Sequence, residues 1–303
     1  MKSFLEYALF AGIARLLQLL PLGVVRRMAR IGAGFAWYCV PIRKSLTLMQ
    51  LRVAFPDRAD TDIRRIARDA YTNLVTTIFE LMWTPRLDDE SIARVIHMRN
   101  PEVIEQAARR GTGVVFMSGH FGNWEWLSIG VARMMGIPFT VIVHPIHNTA
   151  VDDLVEGWRR QFGNRTIPMG VSIREVITTL RNRGAVAMLA DQSGPSGSVY
   201  VRLFGRPAAT YEGPATFALR IGAPIIIGYS LRREDGNYDV IVEEIPTQDL
   251  QGFTDANVRE LTRRHVRALE RMVTEHPSFW LWQHKRWKHT PGKDNIIVED
   301  PAA

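Results

Sequence analysis

One cysteine, Cys39, among 303 residues excludes an intrachain disulfide and a cysteine-rich metal cluster, and fits a reducing compartment. It lies in the apolar run from Ile31 to Val40, where burial would keep the thiol protonated and inert. The first apolar run is not expected to act as a secretory signal: Lys2 is the only basic residue ahead of it, Glu6 follows, and no small-residue cleavage site appears. The chain has no repeat and no low-complexity tract, and the turn-rich stretch from Asp191 to Gly197 is too short for a linker, so it reads as a loop at a strand end. Charge is moderate. With 23% charged residues and a net charge of +7, a disordered polybasic chain is excluded, while nucleic acid, an anionic membrane or an acidic carrier protein stay open as partners.

What is present is apolar material, 46% of the chain, enough for one large domain or two modest ones. Tyr7 to Val25 is almost wholly apolar, interrupted by Arg15, Gln18 and Pro21, and Arg26, Arg27 and Arg30 follow at once. On a helical wheel Leu9, Phe10, Ile13, Leu16, Leu17 and Leu20 cover most of the surface, which should not stand alone in water. Two readings remain: a single anchor helix crossing or half-entering a bilayer, or an amphipathic helix packed on the domain. The second apolar run with Trp37 and Tyr38 favours membrane contact. Residues 1–42 are therefore expected to form a membrane-anchoring helical region. Residues 43–303 are expected to form an α/β domain with a helical lead-in to about residue 100.

Ile63, Ile66, Ala70, Leu74, Ile78 and Leu81 recur at helical spacing after the start cluster Asp60-Thr-Asp, so 60–82 should be a helix with these residues inward. From Gly111 onward short β-branched runs alternate with helical stretches. Strands are expected at 113–117, 139–143, 185–189, 198–203, 223–230 and 238–243, with helices at 123–135, 150–162 and 172–183, the last opened by a Ser172/Glu175 capping box. This alternation predicts a mixed, mainly parallel sheet flanked by helices.

The strongest chemical candidate is Val114 to Trp126, in which a hydrophobic strand ends in a glycine-bounded turn holding His120 and a helix then begins. An imidazole there can take a proton from an attacking hydroxyl, a carboxylate on its other nitrogen can fix the tautomer, and Glu125 is close enough in sequence to serve. The free N–H groups of the helix start would favour a developing oxyanion. Spacing alone does not single out His120, because five of eight histidines precede an acidic residue by five positions. Context does: only His120 follows a hydrophobic strand between glycines, although a structural histidine at a turn would fit the same residues.

His120-Phe-Gly-Asn-Trp-Glu-Trp is followed by Asn148 to Arg159, Asp191-Gln192, Phe204 to Thr210, Gly213-Pro-Ala, Gly222-Ala-Pro, and His276-Pro through Trp280-Leu-Trp to Lys288. In content and order, over roughly residues 1–290, these motifs resemble the late lauroyl/myristoyl acyltransferases of bacterial lipid A biosynthesis, within the glycerolipid acyltransferase superfamily. The resemblance implies a thioester donor on acyl carrier protein or coenzyme A, a hydroxyl acceptor on a saccharolipid, a His120/Glu125 dyad, no metal or redox cofactor, and the cytoplasmic face of the bacterial inner membrane. It places Arg159 by the active site, where a guanidinium could hold the thioester carbonyl or an acceptor phosphate. Asn123, Asp191, Gln192, Arg206 and Thr210 are carried over as substrate-binding positions. For Arg206 an exposed turn arginine is an equal alternative.

Three further readings complete the expectation. His144 and His147 invite zinc, but Pro145 breaks the helical geometry between them and no third ligand is adjacent, so a polar turn is preferred. The segment Trp280 to Lys288 mixes three tryptophans with basic residues, as at a phospholipid surface, with ordinary core packing as the alternative; no nucleic-acid motif accompanies it. Competing functions are acyl transfer to a lysophospholipid or a phosphatidylinositol-type glycolipid, and a non-catalytic membrane-binding protein.

Overall fold

The computed structural model describes residues 2–40, 42–170 and 173–300. Two 17-residue helices, α1 (Lys2–Gln18) and α2 (Leu22–Tyr38), lead into α3 (Lys44–Ala54), α4 (Asp60–Trp83) and α5 (Asp89–Val95). The α/β part then runs β1 (Ile96–Met98), α6 (Glu102–Arg109), β2 (Val114–Ser118), α7 (Trp124–Met134), β3 (Phe139–Val143), α8 (Thr149–Arg160), β4 (Arg165–Pro168), α9 (Ile173–Arg181) and β5 (Ala185–Leu189). It continues with β6 (Val199–Leu203), β7 (Arg206–Thr210), α10 (Gly213–Ile221), β8 (Ile225–Arg232), β9 (Tyr238–Ile245), α11 (Asp255–Glu275) and β10 (Ile297–Val298).

The main sheet has seven strands in the order β1-β9-β8-β2-β5-β3-β4, with β8/β9 its antiparallel pair and the other ladders parallel. A strand buried on both faces reads as continuous apolar sequence, and β2 is such a strand. Its Val115 and Met117 join one core with α4, α9, α10 and α11, whereas Val114 and Phe116 join the other with α5, α6, α7 and α8. The mainly parallel sheet between helices is as expected. The segment 206–210, for which a turn is one of two equal readings, pairs with β6 as β7 in a separate three-stranded sheet. Ser172 of the expected capping box lies outside the described residues.

Among the described residues no helix is long and apolar enough to cross a membrane. Instead α1 buries Ala14 and Leu17 in the second core, and Gln18 donates to the Met82 carbonyl. The same two helices leave Phe4, Leu5, Leu9, Leu16, Ile31 and Phe35 exposed, and Leu19 in the turn between them is exposed too. Trp37 turns inward and Tyr38 outward. Cys39, expected to be buried, is exposed at the end of α2, because the helix stops there and the chain turns away.

The α4 helix corrects the simple amphipathic reading in its second half. Ile63, Ile66 and Ala70 are buried as expected, but Ile78 is exposed while Asn73, Thr77, Glu80 and Thr84 are buried. Burying polar groups is tolerable only where they find partners. Here the partners belong to the turn that carries His120.

Candidate active site

The register of two adjacent parallel strands builds the centre of the site. Ser118 of β2 is paired with Leu189 of β5, so the chain two residues beyond each brings His120 and Asp191 together at the carboxyl ends of the strands. This is the edge where α/β sheets place ligands. The Asp191 Oδ1 atom lies 2.8 Å from His120 Nδ1, and Oδ2 accepts from the His120 backbone N–H and the Trp280 indole N–H, each at 2.8 Å. An ionised carboxylate only accepts, so it fixes the ring proton on Nδ1 and leaves Nε2 of the neutral imidazole with a free lone pair. Burial by itself would raise the Asp191 carboxyl. His120, through its charge when protonated and through its hydrogen bonds, outweighs burial together with the Trp280 indole and holds the group at about 2.

His120 is thus paired with Asp191 and not with Glu125, the partner expected from spacing. Glu125, in the first turn of α7, is held by Arg159 of α8 through a two-pronged pair, Nε to Oε2 at 2.9 Å and Nη2 to Oε1 at 2.6 Å. Burial opposes ionisation of Glu125, but Arg159 overcomes it and the carboxyl lies below its usual range, with smaller help from His120 and Trp124. Sequence spacing suggested a direct bond because Glu125 follows His120 by five positions. The turn and the helix start point the two side chains to different partners.

A cavity of about 260 Å³ connects these groups with apolar side chains. His120, Glu125, Arg159 and Gln192 line it together with the buried Phe116, Met117, Leu127 and Phe139, and exposed His144, Ile146 and Met169 also border it. The Gln192 amide nitrogen lies 3.3 Å from His120 Nε2, so it faces the basic nitrogen directly. His120 also meets the Trp124 ring edge-on at 5.1 Å.

The other residues carried over as substrate-binding are not in this cavity. Asn123 is fully buried: its Oδ1 accepts from Trp126 N–H, capping α7, and its Nδ2 donates to Glu80. Thr210 is likewise buried and accepts from Arg286 Nη2. Arg206 is exposed where β7 begins. His147 is exposed beyond the cavity lining.

The turn around His120 is fixed from several sides. Gly122 sits at φ +60°, and a Cβ there would come 1.6 Å from the Ser230 carbonyl oxygen, so only glycine fits. Residues 279–281 run alongside: Gly122 N–H donates to the Phe279 carbonyl, and Leu281 N–H donates to the His120 carbonyl. Trp280 and Trp282 are buried at 3% and 0% exposure, so the expected lipid-surface role of this segment gives way to packing against the turn that carries His120. Sequence reasoning also missed His284, which accepts from Ser193 N–H and whose imidazole is pushed down to about 4, chiefly by burial.

Residues 2–289 match the family of bacterial lipid A biosynthesis acyltransferases. The chain is also 22% identical over 263 residues to the lipid A biosynthesis palmitoleoyltransferase of Escherichia coli (strain K12), covering 84% of this chain and 82% of that one. A strand-end histidine paired with a buried carboxylate beside an apolar cavity is a suitable arrangement for acyl transfer, and with a family match over nearly its whole length, the chain belongs to the bacterial lipid A biosynthesis acyltransferases.

Proposed function

We propose that this protein transfers a fatty acyl chain from an acyl carrier protein thioester, or a coenzyme A thioester, to a hydroxyl of a lipid A precursor, with His120 as general base oriented by Asp191. The observation that carries the reading is the pairing of His120 Nδ1 with Asp191 at the edge of the apolar cavity, which leaves Nε2 basic and facing Gln192. In this mechanism the acyl chain lies among Phe116, Met117, Leu127 and Phe139, and the acceptor hydroxyl gives its proton to Nε2. The alkoxide attacks the thioester carbonyl carbon, the C–O bond forms, and the negative charge on the former carbonyl oxygen is met by N–H groups at the start of α7. Collapse breaks the C–S bond, and the imidazolium returns its proton to the leaving thiolate. Glu125, held ionised by Arg159, stabilises the imidazolium through space.

The exposed apolar faces of α1 and α2, with Arg15, Arg27 and Arg30 exposed on the same helices, suit helices lying in one leaflet of an anionic membrane. We therefore place the protein on the cytoplasmic face of the inner membrane, where a lipid acceptor can reach the cavity without leaving the bilayer. The basic balance of the chain suits an acidic carrier as donor. Mass spectrometry of lipids from a strain lacking this chain tests the acceptor: lipid A should lose one acyl chain, restored by the parent gene and not by His120→Ala. Unchanged lipid A with altered glycerophospholipids would reject it.

A further inference from the structure

A fully buried carboxylate outside the cavity carries the next inference. Glu80 of α4 has no exposed surface, yet four elements converge on it. Its Oε1 accepts from Arg26 Nε of α2 at 2.7 Å. Its Oε2 accepts from Asn123 Nδ2 at 2.9 Å, from Arg232 Nη2 of β8 at 3.1 Å, and from the Tyr238 hydroxyl of β9. A buried ionic cluster of this kind is often no more stable than apolar side chains of the same shape, so its presence calls for a role beyond stability.

The role follows from what α4 touches. Along one face of that helix, Asn73 donates to the Phe279 carbonyl at 3.1 Å and Thr77 donates to the Gly122 carbonyl at 3.0 Å. One turn further on Glu80 takes the Asn123 amide, and after another turn Thr84 accepts from the Trp126 indole at 3.0 Å. Thr77, Glu80 and Thr84 thus hold residues 122, 123 and 126 in order, and Asn73 holds the Phe279 carbonyl beside them. His120 lies just before this segment and Glu125 lies within it. Asn123 has no freedom left, because its oxygen caps α7 while its nitrogen is spent on Glu80.

We propose that Glu80 is a positioning residue for acyl transfer: by holding Asn123, with Arg26 and Arg232 supplying the opposing charge, it sets where α7 starts and so where His120 and Glu125 stand relative to the cavity. The proposal rests on the acyl-transfer reading given above. It acts on the rate of the bound complex, since Glu80 does not line the cavity that would hold the donor chain.

The test exchanges the two partners. In Glu80→Gln the new amide must set an N–H either against Arg26 or against Asn123 Nδ2, Arg232 and the Tyr238 hydroxyl together, whereas in Glu80→Gln/Asn123→Asp the bond to residue 123 returns with its direction reversed, a negative charge stays beside Arg232, and a carboxylate can still cap α7. Misplacing catalytic groups by about 1 Å lowers rates by roughly 100-fold, so each single variant should lose roughly 10- to 100-fold in kcat with donor KM unchanged. The double variant should recover part of that loss, because the bond to residue 123 returns while Arg232 and Tyr238 lose their acceptor. Hydrogen exchange of the Trp126 amide, read without any substrate, should quicken in Glu80→Gln and slow again in the double variant. Where Glu80→Gln does not fold, Tyr238→Phe removes one donor from the same carboxylate and leaves its charge paired, and a smaller fall in kcat at constant donor KM is expected. Parent-like kcat in folded Glu80→Gln or Tyr238→Phe overturns the proposal, as does a folded double variant no faster than the singles. An inactive parent protein with all donors would instead reject the acyl-transfer reading, and the exchange of the Trp126 amide would still report on Glu80.

Discussion

Asp191→Asn tests the division of labour between the two acidic residues at the site. In the parent, Asp191 takes three N–H groups: Nδ1–H and the backbone N–H of His120, and the Trp280 indole. An asparagine has one acceptor oxygen and one NH2. If its oxygen stays on the His120 backbone N–H and the indole, its NH2 points at Nδ1. The imidazole must then carry its proton on Nε2, where it cannot accept one from a hydroxyl. Loss of the productive tautomer in a catalytic histidine costs on the order of 10⁴ in kcat, about 5 kcal/mol of barrier. The replacement is isosteric, its oxygen still takes the two remaining N–H donors and its NH2 meets an unprotonated Nδ1, so folding should be preserved. Glu125→Gln makes no such change at the ring, since Glu125 bonds to Arg159. Initial rates at saturating donor and pH 7 should therefore fall much further in Asp191→Asn than in Glu125→Gln, with donor KM unmoved in the former. Asp191→Asn within tenfold of the parent, or Glu125→Gln the slower of the two, would refute the assignment of Asp191 as the orienting group.

Other expectations follow from the same contacts. Arg159→Gln leaves the buried Glu125 carboxylate without its partner and should cost about 3 kcal/mol in urea unfolding at pH 8, whereas Glu125→Gln/Arg159→Gln should recover much of it. His265 is buried and its imidazole is pushed down to about 3, first by burial and then by Arg286. Its folded form is therefore neutral while its unfolded form charges below the ordinary value. The stability it contributes is complete above about pH 6.5 and declines as pH falls toward 3, by about 1.4 kcal/mol per pH unit. In His265→Phe that part of the pH dependence of urea unfolding should flatten. Leu16 and Leu19 are 54% and 82% exposed, so Leu16→Asp/Leu19→Asp should weaken sedimentation with anionic vesicles by roughly 2 kcal/mol or more while leaving unfolding nearly unchanged.

The alternation of β-branched runs with helical spacing made β2, β3, β5 and their helices legible, and the glycine-bounded turn after an apolar strand singled out His120. Its principal partner was less accessible. Asp191 stands 71 residues away, and only the β2/β5 register makes the two neighbours, so local spacing favoured Glu125 instead. Trp280 shows a similar limit: aromatic residues among lysines and arginines have one composition whether they meet lipid or pack inward, and here the indole is buried on Asp191. The polar stripe of α4 did leave a signal, Asn73, Thr77, Glu80 and Thr84 at spacings of four, three and four. Apolar periodicity on the neighbouring face concealed it, and the buried carbonyls that satisfy it come from a distant turn.

The most direct measurement incubates purified, detergent-solubilised protein and its His120→Ala variant with lauroyl-, myristoyl- and palmitoyl-acyl carrier protein and a lipid A precursor, reading products by mass spectrometry. The account predicts one added acyl mass on the precursor with at least one donor, lost in the variant. Folded parent protein that acylates nothing, or a His120→Ala variant as active as the parent, would contradict it.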